Sequence, residues 1–239
     1  MIELEKQGVI YKLAMDAGEN RWNTKFVREF SKALDEIEKD NGVGALVTSS
    51  TDAKFFSNGL DLEWVQSPDE FPEMGDRKAF GSEFMFLMGR VMTLSIPTIC
   101  AVNGHAFGAG FMLALCHDVR IMREDRGYLC ANEMQLGMSI PIPELALFRH
   151  KIPANVFFET VQLSKRWSGA TALQAGIVQE LSSLEGLEQC AQKKAEELAP
   201  LAASRSNFGV QKEKIFGKHS AINSEHGPAH MLRNSDQFI

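Results

Sequence analysis

The chain has no excess of positive charge, no paired cysteines and no long apolar run. Its 25 Lys and Arg stand against 31 Asp and Glu, a formal charge of -6, so nothing draws the whole molecule to nucleic acid or to an anionic membrane. An anionic ligand would need a local basic patch. No block of like charge is long enough to act as a tail, and no apolar stretch reaches the ~18 residues of a membrane span. The opening Met1-Ile2-Glu3-Leu4-Glu5-Lys6 carries acids where a secretion signal needs a basic and then an apolar region. The closing Asp236-Gln237-Phe238-Ile239 lacks the peroxisomal Ser-Lys-Leu address. A cytoplasmic protein is the expectation.

Other absences narrow the chemistry. Cys100, Cys116, Cys130 and Cys190 are spaced by 16, 14 and 60 residues, which fits neither a CxxC metal site nor the disulfide framework of a small secreted domain. They read as core thiols. There is no Gly-x-Ser-x-Gly elbow, no GxGxxG with dinucleotide spacing and no Gly-Lys-Ser/Thr of a P-loop. His226 and His230 are four apart, but Gly227-Pro228 between them disfavours a continuous helix, and no metal site is expected. No internal repeat or low-complexity tract is present.

What remains is an ordinary globular composition: 239 residues, 44% hydrophobic and 23% charged, enough for one main domain with a sizeable core. Residues 2–5 and 8–14 alternate loosely around Gly8 and read as a hairpin. From a cap at Asn23 or Thr24, Phe26, Val27, Phe30, Leu34 and Ile37 recur at spacings of three and four, giving an amphipathic helix that ends before Asn41-Gly42. A buried strand is expected over Val43–Val47, and residues 60–78 read as a mobile loop with short helices. Helical spacing resumes through Phe80, Phe84, Leu87, Met88 and Val91. Pro97 then opens a strand over Thr98–Val102, a glycine turn follows, and Phe111–Cys116 reads as a buried helix. Strands at 119–122 and 127–131, a helical region from Glu144 to Ser164, a short helix from Ser168 to Gly176, and helices over 187–199 and 204–217 complete an α/β pattern.

Three segments carry candidate chemistry. In Lys54-Phe55-Phe56-Ser57-Asn58-Gly59-Leu60-Asp61-Leu62 a strand ends in a turn whose glycine lets the Leu60 N–H point into a cavity. Taken alone, this is also a plain strand-to-loop turn. At Gly108-Ala109-Gly110 small residues let a ligand approach the backbone, and the following helix aims its N-terminal N–H groups at it, Ala109 first. Close helix-to-strand packing would ask for the same small residues. Glu133, in Cys130-Ala131-Asn132-Glu133-Met134-Gln135-Leu136-Gly137, has apolar neighbours that would raise its pKa and suit it as a base. A turn cap, or a salt bridge to Arg123 or Arg126, is the bland alternative. A base beside two free N–H groups suits removal of a proton next to a carbonyl.

The order of these segments resembles one family, the crotonase or enoyl-CoA hydratase/isomerase superfamily. Phe56-Ser57-Asn58-Gly59-Leu60-Asp61 is similar to its phenylalanine-small-small-glycine-x-aspartate turn. Pro97 to Gly110 resembles its proline-led strand into a glycine turn, and Asp118 and the stretch Ser168–Val178 match further features. The similarity covers roughly residues 3–185. It implies a ClpP-like crotonase fold of repeated ββα units in a spiral core over 1–185, with a helical region over 186–239 that serves oligomerisation and pocket closure.

The resemblance also implies roles. Hydratases of the family hold two glutamates over the thioester; here Met112 stands at the first position and Glu133 at the second. Asn132-Glu133-Met134-Gln135-Leu136-Gly137 resembles the motif of monofunctional Δ3,Δ2-enoyl-CoA isomerases. Another isomerase branch places its base a turn later, where this chain has Pro141, and Glu144 three residues beyond is a weaker candidate. The implied substrate is an acyl-CoA thioester with no cofactor and no metal, the implied activity a 3-enoyl to 2-enoyl shift with Glu133 as the sole acid and base, and the implied assembly a homotrimer or hexamer. Asn58, Gly59, Leu60, Asp61, Leu62, Gly108, Met112 and Asn132 are expected around the acyl thioester. Met112, Met138, Ile140 and Ile142 are expected to keep its pocket dry. Arg21, Lys54, Phe55 and Ser57 are expected along the CoA; Lys212, Lys214, Lys218 and His219 are candidates for its 3′-phosphate from a neighbouring subunit, with an ordinary solvated helix face as the alternative reading.

Overall fold

The computed structural model describes residues 1–67, 72–218 and 225–239. A hairpin, β1 (Ile2–Gln7) and β2 (Ile10–Met15), leads through a turn to α1 (Thr24–Lys39). The side chain of Asn23 accepts from the Phe26 N–H at 3.0 Å, a cap worth ~1 kcal/mol. Phe26, Val27, Phe30, Leu34 and Ile37 are all buried, as their spacing predicts. Then come β3 (Ala45–Ser50), β4 (Phe55–Ser57), α2 (Leu62–Gln66) and α3 (Arg77–Thr93), followed by β5 (Thr98–Val102), β6 (His105–Phe107) and α4 (Ala109–Cys116). Next are β7 (Val119–Arg123), β8 (Leu129–Cys130), α5 (Ile142–Lys151) and α6 (Ala154–Val161). The chain closes with α7 (Gly169–Gln174), β9 (Glu180–Ser182), α8 (Leu184–Leu198), α9 (Arg205–Phe216) and α10 (Pro228–Arg233).

Two sheets organise these elements. The larger has the order β1-β2-β3-β5-β7-β9, parallel except for the first pair, and the smaller is the parallel set β4-β6-β8. The pairs β3/β4, β5/β6 and β7/β8 each give one strand to each sheet and are each followed by helix. This is the spiral of ββα units that the resemblance to the crotonase family implies.

The central strands β3, β5 and β7 of the large sheet are buried on both faces, as parallel strands between helices are. Leu46, Cys100, Val102 and Met122 join the main core with α1, α3 and α4. The alternate residues Ala45, Val47, Ile99, Ala101 and Ile121 pack under Leu187, Ala191 and Ala195 of α8. Helix α8 is thus laid across the sheet, whereas α9 and α10 pack against α3, and α10 also against α5. Buried Arg205 of α9 donates to the carbonyls of Gly42 and Ile37 at 2.6 and 2.7 Å.

Several expectations shift. The strand expected at Val43–Val47 runs over Ala45–Ser50. Gly44 lies so close to Tyr11 that a Cβ there would be 2.9 Å from its ring, so regular pairing begins after it. The single helical region from Glu144 breaks into α5 and α6 at Pro153, whose ring cannot continue a helix. The loop at 60–78 holds α2 and a 3-10 turn at Pro72–Met74, with residues 68–71 outside the described ones. Among the described residues no helix is long and apolar enough to cross a membrane.

Candidate active site

Two turns meet at the C-terminal ends of the small sheet. After β4 the chain reverses through Gly59, whose φ of 82° lies in the left-handed region. A Cβ on Gly59 would sit 2.8 Å from the Phe107 carbonyl oxygen and 3.8 Å from the Ala109 nitrogen. Only a glycine lets the first turn press this closely against the second. Trp22 donates to the Gly59 carbonyl at 2.9 Å and accepts from the Asp61 N–H at 3.0 Å. In such a bridge the residue between, Leu60, turns its own N–H away from Trp22. Ala109 opens α4, where the first N–H groups have no carbonyl within the helix. Among the described residues, no backbone carbonyl takes up the N–H of Leu60 or of Ala109.

Glu133 faces this pair. It begins a 3-10 turn, Glu133–Leu136, directly after β8, and Gly137 in the left-handed conformation ends that turn. Gly108, at φ 47°, leaves space that a Cβ would fill 3.2 Å from Glu133 Oε1 and 3.4 Å from Asn132 Oδ1. Glu133 is buried, and its Oε2 has no hydrogen-bond partner among the described residues. Burial lifts its carboxyl above the ordinary range, and its own backbone N–H pulls weakly the other way. The bland alternatives are not made among the described residues: Arg123 is committed to Asp125 at 2.6 Å, Glu133 Oε2 meets neither it nor Arg126, and no side chain caps this turn.

A pocket of about 160 Å³ lies over the N–H pair, lined by Arg21, Asn58, Gly59, Leu60, Leu62, Gly108, Ala109, Asn132 and Glu133. It joins a more apolar cavity of about 210 Å³ between α3, α4 and α5, walled by Phe80, Phe84, Met85, Met112 and Met138. Leu60, Ala109, Glu133 and Met138 line both. Met112 therefore makes this wall of the cavity apolar. Outside, an open groove of about 590 Å³ runs past Arg21, Asn23, Lys25 and Asp61, so Arg21 lies at the mouth of the inner pocket.

Other expected positions divide. The Arg21 guanidinium is exposed and paired with Glu19 at 2.7 Å, and Asn58 also donates to Glu19, at 2.8 Å. Asp61 caps α2 by accepting from the Trp64 N–H. Lys54 is exposed, its ammonium 4.8 Å from the Phe55 ring centroid. Two proposed CoA contacts need correction as side-chain contacts. Phe55 is buried against His105 and Phe107, and Ser57 is fully buried with its hydroxyl donating to the Asn20 carbonyl at 2.7 Å while accepting from Trp22 Nε1. Ile142 is 57% exposed, so it does not wall the pocket; Ile140 is buried in the core.

Lys212, offered as a phosphate partner, is buried in an ion pair with Asp118 at 2.7 Å and is not free to reach one. Lys214 and Lys218 are exposed, and His219 lies outside the described residues. Cys100, Cys116 and Cys130 are buried free thiols, and burial pushes the latter two up to about 12 and about 11. Among the described residues no three His, Cys, Asp or Glu side chains are grouped to share a metal ion.

The largest departure is Glu144. It lines the apolar cavity beside Glu133, so Glu133 is not the sole carboxylate there. Desolvation, with the neighbouring Glu133 charge adding to it, pushes Glu144 up to about 8. The clue in the sequence was an acid in the apolar run Ile140–Leu147, but the walls that enclose it come from α3, some sixty residues earlier.

The sequence profile of the enoyl-CoA hydratase/isomerase family matches residues 5–220, and the chain belongs to that family. It is 33% identical to Enoyl-CoA delta isomerase 2, peroxisomal, of Arabidopsis thaliana, over 90% of this chain and 92% of that one. It is 28% identical to a carnitinyl-CoA dehydratase of Salmonella enteritidis, over 84% of this chain and 76% of the other. Among solved structures, an enoyl-CoA isomerase of Mycobacterium tuberculosis superposes with a TM-score of 0.78 at 25% identity, covering 89% of each chain.

Proposed function

We propose that the protein moves the double bond of a 3-enoyl-CoA to the 2-position. The observation that carries this reading is the buried, unpartnered Oε2 of Glu133 at the junction of the narrow pocket and the apolar cavity, beside two free backbone N–H groups. The thioester oxygen lies between the N–H groups of Leu60 and Ala109, and Glu133 removes a proton from C2. The electron pair of that C–H bond spreads over a dienolate whose negative oxygen the two N–H groups hold, each worth ~10²–10³ in rate. A cavity carboxyl then gives a proton to C4, leaving the conjugated 2-enoyl-CoA. The raised pKa of Glu133 suits a base that must take a weakly acidic proton. The CoA runs outward past Arg21 and Lys54. The Arabidopsis relative bears the name of this activity.

A second reading, addition or removal of water across the same bond, is favoured by Glu144, since two carboxylates can hold a water where one cannot. The Salmonella relative is named a dehydratase. The test is to supply purified protein with 3-enoyl-CoA and with 2-enoyl-CoA, and to follow conjugated product and 3-hydroxyacyl product separately. Isomerisation that disappears in Glu133→Gln while acyl-CoA affinity persists is the expected result. Hydration of 2-enoyl-CoA at a comparable rate replaces the first reading by the second, and binding without turnover points to a non-catalytic acyl-CoA-binding protein.

A further inference from the structure

Glu144 has no place in a mechanism with one acid and base, yet it lines the apolar cavity, half-buried, beside Glu133. Among the described residues its side chain makes no ion pair with Lys, Arg or His, and the charge beside it is that of Glu133. Its position along the pocket is ordered. Glu133 lines both the pocket over the N–H pair and the apolar cavity, whereas Glu144 lines only the cavity, among Phe80, Phe84 and Met112. An acyl chain with its thioester oxygen on Leu60 and Ala109 passes Glu133 first and Glu144 farther from the carbonyl.

We infer that Glu144 is a second catalytic residue, the acid that delivers the proton to C4 after Glu133 has taken one from C2. This deepens the isomerase reading and rests on it. The C2–H bond breaks and its proton passes to Glu133. The double bond forms between C2 and C3, the pair of the old C3–C4 double bond takes up the proton from the Glu144 hydroxyl, and a C4–H bond forms. The enzyme is left with Glu133 protonated and Glu144 ionised; proton exchange between the two, directly or through water in the shared cavity, restores the start. No oxidant or other reactant is required. Glu144 meets the demand on such an acid, since its desolvated carboxyl keeps its proton up to about pH 8. Glu133 is its charged neighbour in the cavity lining.

The experiment is a single turnover of wild-type protein with 3-enoyl-CoA deuterated at C2, followed by NMR of the product. One shuttling carboxylate carries deuterium from C2 to C4; two groups place solvent hydrogen at C4. The expected result is less than a tenth of the label at C4. Glu144→Gln supplies the second measurement: isomerisation falls ~10²-fold or more, while exchange of the C2 hydrogens with solvent, measured in D2O, continues within a few-fold of wild type. Glu133→Gln loses both. Transfer of most of the label to C4, or a Glu144→Gln variant isomerising near the wild-type rate, overturns the inference and leaves the isomerase reading standing. Wild-type protein that does not isomerise 3-enoyl-CoA overturns both.

Discussion

At the scale of single residues, the site turns on two carboxyls held in apolar surroundings with different outlooks. Glu133 looks onto the N–H pair and Glu144 onto Phe80, Phe84 and Met112. Replacing Glu133 by Gln keeps the shape and removes the proposed base, so kcat should fall ~10²–10⁴-fold with KM within a few-fold. Steady-state kinetics on 3-enoyl-CoA checks this; a large rise in KM with unchanged kcat would assign Glu133 to binding alone. Glu144 makes a separate prediction about stability. Its folded pKa of about 8 lies above the ordinary 4.5, so the folded state holds its proton more tightly than the unfolded state does. Stability from this group is therefore full below pH ~4.5 and is lost as pH rises towards 8. Glu144→Gln removes that loss. The variant should match wild type in urea melts near pH 4.5 and exceed it by a few kcal/mol at pH 8.

At the scale of elements, the turn after β4 is the most sensitive joint. Gly59 combines a left-handed φ of 82° with a Cβ position 2.8 Å from the Phe107 carbonyl oxygen, whereas Gly8, at φ 60°, has open space around it. Gly8→Ala should cost ~1 kcal/mol in thermal melts and leave catalysis untouched. Gly59→Ala adds a backbone clash, should cost ~1–3 kcal/mol, and should lower kcat more than it raises KM, because it pushes Leu60 away from Ala109. Equal kinetic effects of the two substitutions would break the link between this turn and the proposed oxyanion site.

The same elements show what could be read from sequence. α1 was legible because Phe26, Phe30, Leu34 and Ile37 repeat over about three turns. β6 and the Glu133–Leu136 turn are too short to leave any period, and both exist through pairing with distant partners: His105 with Phe55, and the Glu133 turn at the end of β8. The N–H pair was legible because glycine marks both turns. Glu144 as an enclosed acid was not, since its enclosure belongs to α3 across the cavity.

At the scale of the whole molecule, the C-terminal helices are fastened to the core by charge as well as by apolar contact. Asp118, between α4 and β7, accepts from the Thr98 N–H at 2.9 Å and its hydroxyl at 3.1 Å, and it pairs with Lys212 of α9 at 2.7 Å. Lys212 also donates to the Ile96 carbonyl at 3.1 Å, so one side chain ties α9 to the start of β5. Burial would raise the Asp118 pKa, but Lys212 and Lys151 outweigh it and hold the carboxyl below its usual 3.8. Removing one partner of a buried pair leaves the other uncompensated, at ~3 kcal/mol or more. Asp118→Asn strands two cations, Lys212 and Lys151, so it should cost ~3 kcal/mol. Lys212→Met should cost less, because Asp118 keeps Lys151 and the Thr98 donors. Guanidinium melts at neutral pH rank the two. The sign of the pH effect follows from the depressed pKa: the stabilisation is present above pH ~3.8 and is lost as pH falls through the lower folded value. The gap between wild type and Asp118→Asn should hold steady from pH 7 to 5 and close only in stronger acid. A gap that closes already between pH 7 and 5 would mean that another group carries the link between α9 and the sheet.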